Sequence, residues 1–174
     1  MMELPMSGES LDAAAIEELE REYNDRVWRN GEYEYIAEVH ADDFVGHWIG
    51  PEGGAVDVEG LAEMTRMIRG AFSDFVFDES FVFATDDMAA AGFEAGGTND
   101  GEFMDIPPTD EHVMTTGIYV HRYEDGEIVE AWATWDMLTM LQQMGVVPAG
   151  VHLTDFLETA LNLARRGILR RTQE

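Results

Sequence analysis

Proton-transfer chemistry in this 174-residue chain must come from carboxylates, imidazoles and hydroxyls, because there is no cysteine. The carboxylate in the most suggestive setting is Asp136, near the end of the run 128–137. On a strand uninterrupted by a bulge, Ile128, Glu130, Trp132, Thr134 and Asp136 share one face. An aspartate beside indole and aliphatic groups is expected to have a raised pKa, since burial disfavours the charge. Tuned in that way, it serves as general base for a carbon acid. Asp136 equally fits the N-cap of a helix that begins at Met137, which is a purely local role.

Four other residues are candidates for a binding pocket. His47 lies on a short extended segment before a glycine-rich turn, where it either points into a pocket or sits on the surface. Trp132 shares the face of Asp136. His121 alternates with Arg122 along a strand, so one of the two faces inward. Asn99, beside Thr98 at a glycine-flanked bend, lines a pocket mouth or simply forms the turn. Nucleophilic serine chemistry is disfavoured: there are four serines, at positions 7, 10, 73 and 80, and none lies in a Gly-x-Ser-x-Gly elbow. The five histidines make no His-Glu-x-x-His, and no acidic loop has calcium spacing, so no metal site is expected.

These groups sit in a chain of unusual charge. Lys+Arg is 10, all of it arginine, against 36 Asp+Glu, for a net charge of −26 and a pI near 4.2. Apolar residues are 45% and aromatics 10%, which suits a folded domain and not a disordered acidic tail. Nucleic acid and anionic membranes are disfavoured partners, as both need a basic footprint. Self-repulsion of this size is relieved in molar salt, where the Debye length shrinks to about 3 Å. A haloarchaeal, cytoplasmic protein is therefore expected. No apolar run reaches membrane-span length, and residues 1–10 lack the basic and apolar regions of a signal peptide.

The elements that must position these residues follow from periodicity. Residues 1–9 read as a flexible lead-in. Ser10 is a plausible cap for a helix with Ile16, Leu19, Tyr23 and Val27 on one face, stopped at Asn30-Gly31. A short helix covers 33–39 and an extended segment 44–49. Asp57 caps a third helix with Leu61, Met64, Ile68 and Phe72 along its stripe. Strands follow over 74–84, 88–96, 113–123 and 127–136. On the first, which is interrupted near Glu79-Ser80, the odd-numbered Phe75, Phe77, Phe81 and Phe83 read as core. A short helix covers 137–144 and a last one 154–170, closed by Arg165, Arg166, Arg170 and Arg171. Helices, then long antiparallel strands, then a helix make an α+β layout, with one domain over 10–149 and an appended helix in 150–174.

Several of these segments together resemble the SnoaL-like polyketide cyclase (ester cyclase) family. They are Gly101-Glu-Phe-Met-Asp-Ile-Pro-Pro-Thr109, Asp125-Gly126-Glu-Ile128-Val-Glu130-Ala-Trp132, Asp136 and Leu141-Gln-Gln-Met-Gly145. The likeness spans roughly residues 17–148. It departs at Asn99, where relatives often carry histidine, and at Asp105 and Asp110, where glycines are usual. The resemblance implies a cystatin-like, ketosteroid-isomerase-like cone. In that fold a curved antiparallel sheet wraps N-terminal helices around an internal apolar pocket, commonly in a homodimer packed through the sheet. It also implies cofactor-free acid–base chemistry: an aspartate at position 136 removes a proton from an activated carbon, and the enolate closes a ring by intramolecular aldol attack. His47, Trp132, Asn99 and His121 would orient or polarise a hydrophobic, carbonyl-rich small molecule. The same pocket also suits isomerisation, dehydration or epoxide hydrolysis, or ligand binding without catalysis.

Overall fold

The computed structural model describes residues 11–48 and 54–148. Ser10, the lead-in, the helix expected over 154–170 and its arginine cluster lie outside the described residues. Helix α1 (Ala13–Tyr23) starts at Asp12, whose side chain accepts from the Ala15 N–H at 2.9 Å. It buries Ile16, Leu19, Glu20 and Tyr23. The single long helix expected to Asn30 changes form partway: Asn24–Arg29 is a π-helix, with the Asn30 N–H reaching back to the Asp25 carbonyl. The wider turn lets Tyr23, Asn24 and Val27 all face inward.

Next come α2 (Glu34–Val39), β1 (His40–Trp48), β2 (Ala55–Val56) and α3 (Val58–Gly70), the last capped by Asp57 through the Gly60 N–H. Strands β3 (Val76–Ala84), β4 (Met88–Thr98), β5 (His112–Glu124) and β6 (Glu127–Trp135) precede α4 (Met137–Gln143). The six strands form one sheet in the order β2-β1-β6-β5-β4-β3. The fold is the expected α+β cone. Its sheet, however, is mixed and not wholly antiparallel: β1 runs parallel to β6, pairing Val45 with Glu130 and His47 with Trp132. A strand delivered from α2 on the helical side reaches the free edge of β6 in that direction.

The odd-numbered phenylalanines of β3 do not stay on one face. The register shifts between Glu79 and Phe81, so the strand changes phase. Phe77 is 3% exposed, whereas Phe81 and Phe83 are 48% and 58% exposed. Beneath the sheet, one apolar cluster joins α1, α2 and the start of β1 to Tyr123 and Ile128. A second lies under α4, around Phe72, Phe103 and Met140. A third holds Phe77, Ala91, Ala95 and Tyr119. The space between the three is the candidate site.

Candidate functional site

Small residues on the helix-facing side of the sheet create the cavity. Ala95, Ala131 and Ala133 line it, at positions where strands usually carry bulkier side chains. Gly117 instead admits the Phe93 ring at close approach: a Cβ there would lie 2.4 Å from that ring. Aromatic rings then wall the space. Trp28 stacks on Phe77 at 5.6 Å between centroids, and Phe77 on Phe93 at 5.0 Å. The result is an apolar cavity of about 100 Å³ reaching from Leu61 and Ile68 of α3 to Trp135 and Met140.

One wall is polar, built by α1, the π-helix and β5. Glu20 is fully buried, and its Oε1 accepts from His121 Nδ1 at 2.8 Å and from the Tyr123 hydroxyl at 2.6 Å. Burial alone would raise the Glu20 pKa. The charge and hydrogen bond of His121, with the hydroxyls of Tyr123 and Tyr119, outweigh it and hold the pKa below the usual value. Asn24 donates to the Tyr119 hydroxyl at 2.8 Å and to Glu79 at 2.9 Å. Tyr119 lies 4.6 Å from the His121 ring, and Tyr23 meets that ring edge-on at 5.9 Å. Burial, then the nearby Glu20 charge, raises the pKa of all three tyrosines, so they stay neutral. His40, beside them, gives Nδ1 to the Ile36 carbonyl at 2.7 Å. Burial first, and the neighbouring His121 second, push its pKa down to about 3. Tyr23, Tyr119 and His121 line the cavity directly.

The structure scatters the candidate residues. His121 is where the alternation puts an inward residue, 7% exposed. Trp132 is on the opposite face of the sheet from Ala131 and Ala133. The His47 ring stacks on it at 5.4 Å, and His47 Nε2 meets Glu130 at 2.8 Å. His47 therefore borders the cavity while its ring is turned away. Arg122 closes this outer group through Glu130 at 3.0 Å. Asn99 is fully buried and fully used: it donates to the Ala71 and Gly101 carbonyls and accepts from the Thr109 N–H and hydroxyl. It clips the 99–109 loop to the end of α3, and no atom is left to face a ligand.

Asp136 does not have the raised pKa expected of it. Its carboxylate is exposed and caps α4, accepting from the Thr139 hydroxyl at 2.6 Å and the Thr139 N–H at 2.9 Å. Those two bonds lower its pKa. Trp135, one residue earlier, lines the cavity, so strand alternation turns Asp136 outward. Sequence reasoning passed over Glu20, Tyr23, Asn24 and Tyr119 as a group. The available signal was Glu20 itself, a carboxylate on the same helical stripe as Ile16, Leu19 and Tyr23.

Among the described residues no three His, Cys, Asp or Glu side chains gather as a metal site. Nor, among them, is any helix long and apolar enough to cross a membrane.

Comparison with known proteins gives a consistent picture. The model of the family described as SnoaL-like polyketide cyclase matches residues 18–144. No curated protein matches the chain. Among solved structures, IdmH of Streptomyces antibioticus, a proposed polyketide cyclase, is 30% identical. Its TM-score is 0.62, over 72% of this chain and 95% of that one. AclR of Streptomyces galilaeus, a proposed hydroxylase, superposes with a TM-score of 0.69 at 22% identity, covering 92% and 99% of the two chains. TsrD of Streptomyces laurentii gives 0.68 at 20% identity, over 79% and 99%. The last two show likeness of fold alone.

Proposed function

The chain belongs to the SnoaL-like polyketide cyclase family, and from that premise we propose that it is a cofactor-free acid–base enzyme. Its substrate would be a hydrophobic, carbonyl-rich small molecule. The supporting observation is the cavity: aromatic and alanine walls, with Tyr23, Tyr119 and His121 grouped along one of them. A dry pocket strengthens each polar interaction inside it and favours moving a proton between a carbon and a fixed base. The reaction is an intramolecular aldol-type closure. A proton leaves a carbon between carbonyls, the enolate attacks a second carbonyl, and the new alkoxide takes a proton back. An isomerase, dehydratase or epoxide hydrolase would use the same cavity, and so would a carrier that only binds.

Two groups compete for the role of base. Asp136 is favoured by its position in the family motif. His121 is favoured by its place on the cavity wall. The reaction class is tested on the intact protein with a naphthyl β-keto ester in D2O. Exchange of its activated CH2 protons above the buffer rate is the expected result. No exchange, with quenching of tryptophan fluorescence on addition, would leave a binding protein.

The outer face of the sheet exposes Phe81, Phe83 and Ile118, with Gly92 between the first and last of them in the ladder. This supports a homodimer packed through that face. The net charge of −26 supports a cytoplasm at molar salt.

A further inference from the structure

We propose that His121, positioned by Glu20, is the group that takes and returns the proton in this cavity. The proposal rests on the reading that the cavity hosts acid–base chemistry at carbon.

The geometry restricts what His121 can do. An ionised Glu20 has only acceptor atoms, so the 2.8 Å contact places the imidazole proton on Nδ1. In the neutral ring, Nε2 then carries the lone pair, and among the described residues it has no hydrogen-bond partner. The Tyr123 hydroxyl binds the same Glu20 oxygen at 2.6 Å and prevents the carboxylate from turning away. The Tyr119 and Tyr23 rings fix the imidazole on two sides. A base with a set tautomer, a set orientation and a free lone pair on a cavity wall meets the geometric requirements for proton abstraction.

The other candidates each lack one of these conditions. Asp136 is exposed and engaged with Thr139 through both oxygens. His47 commits Nε2 to Glu130 on the far side of the sheet. His40 does not line the cavity.

The chemistry balances within the site. Nε2 takes a proton from the carbon between two carbonyls, and the C–H electron pair moves into the enolate. The enolate carbon forms a C–C bond to a second carbonyl, whose π electrons pass to oxygen. The imidazolium, stabilised by Glu20, returns its proton to that alkoxide. No oxidant or co-reactant enters, and His121 ends neutral. Glu20 touches no reacting atom; it is a positioning residue.

The groups facing His121 are Glu20 and Tyr23 of α1, Asn24 of the π-helix, His40 of β1, and Tyr119 and Tyr123 of β5. Glu79 of β3 reaches them through Asn24. The tyrosines stay protonated and His40 stays uncharged, so the Glu20 charge alone acts on the imidazole at close range.

The test is the exchange of the naphthyl β-keto ester in D2O across a pH series, on the full chain and its variants. His121→Asn keeps a donor toward Glu20 and removes Nε2; the exchange rate falls by about 100-fold or more. Glu20→Gln keeps an acceptor and removes the charge. The rate falls about tenfold, and its rise with pH moves to lower pH, because the imidazolium loses its counter-charge. A residue with only a structural role would lower the rate without moving the profile. Glu20→Asp restores the original profile. Asp136→Asn leaves the rate within about twofold. If a variant loses its near-ultraviolet circular dichroism, the readout passes to His121→Gly with added imidazole, which recovers exchange. Exchange that survives His121→Asn but is lost in Asp136→Asn overturns the assignment and leaves the proposed reaction standing. A wild-type protein with no exchange above buffer overturns the reaction itself.

Discussion

Two histidine–glutamate pairs lie on opposite faces of the same sheet at the same 2.8 Å separation: His121 with Glu20 inside, His47 with Glu130 outside. Inside, the side chains are 8% and 0% exposed; outside, 39% and 26%. The inner carboxylate has tyrosine hydroxyls around it and, among the described residues, no guanidinium partner. The outer one has Arg122. His47 first, and Arg122 second, hold the Glu130 pKa below its usual value. The comparison teaches that an identical contact has a different physical meaning on each face. Solvent screens the outer pair, which is worth little either way. The inner pair has no solvent to replace a lost partner, so it is consequential for stability as well as chemistry.

The comparison breaks first at Glu20. Glu20→Leu strands the buried His121 N–H and Tyr123 O–H, at a cost of about 1–3 kcal/mol for each donor. The same change at Glu130 should leave the denaturation midpoint nearly unmoved. Paired urea melts decide this, and equal losses at the two sites would remove the distinction.

The next largest effect is on pH dependence. His40, part of the inner cluster, has its pKa lowered from 6.5 to about 3. The unfolded chain therefore binds a proton that the folded chain refuses, and the unfolding free energy rises with pH across that window. The stability from keeping His40 neutral is complete above pH 6.5 and is lost as pH falls toward about 3. His40→Gln should flatten the slope of stability against pH in that range.

Salt sharpens the contrast further. Any small loss from His47→Gln in dilute buffer should vanish in molar KCl, because exposed charges are screened there. The Glu20→Leu loss should persist. The wild-type melting temperature should also rise from low to molar KCl if the acidic surface is adapted to salt.

The smallest effect belongs to Asp136→Ala, which removes the α4 cap. It should lower the melting temperature by a few degrees at most. Hydrogen exchange should localise that change to the first turn of α4.

Most of the fold was readable in the sequence. The stripe Ile16, Leu19, Tyr23 and the alternation through β5 correspond to the observed elements, because those segments obey one period throughout; in β6 a register shift puts Ile128 in the core while Glu130 and Trp132 face outward, so the single face expected for them is broken. The misreadings occur where the period changes. The π-helix adds a residue to a turn after Tyr23, and the shift after Glu79 sends Phe81 and Phe83 outward. The first carries no local mark such as proline; the second falls at the interruption near Glu79-Ser80, which does not by itself say which way the later phenylalanines turn. The site was less legible for a related reason. Asp136 stands out in a motif, but strand alternation past Trp135 points it away from the cavity. Asn99 stands out in a bend, but its amide is consumed by Ala71, Gly101 and Thr109. Glu20 stands out in neither way, since it is one of 36 carboxylates. Its partners are about a hundred residues further along the chain, and only the closing of β5 over α1 reveals them.

The π-helix also fixes the angular relation between the two halves of the cavity. Glu20 lies before it, and Trp28 lies within it and stacks on Phe77. Were all six residues of Asn24–Arg29 to wind as ordinary α-helix, with none removed, everything upstream would turn by about 100° relative to Trp28, one residue's rotation. Glu20 would then swing off His121 while the aromatic wall kept its place. One inserted residue thus works like the tooth that sets two gears in phase, and the acid–base wall and the aromatic wall face each other only in that phase.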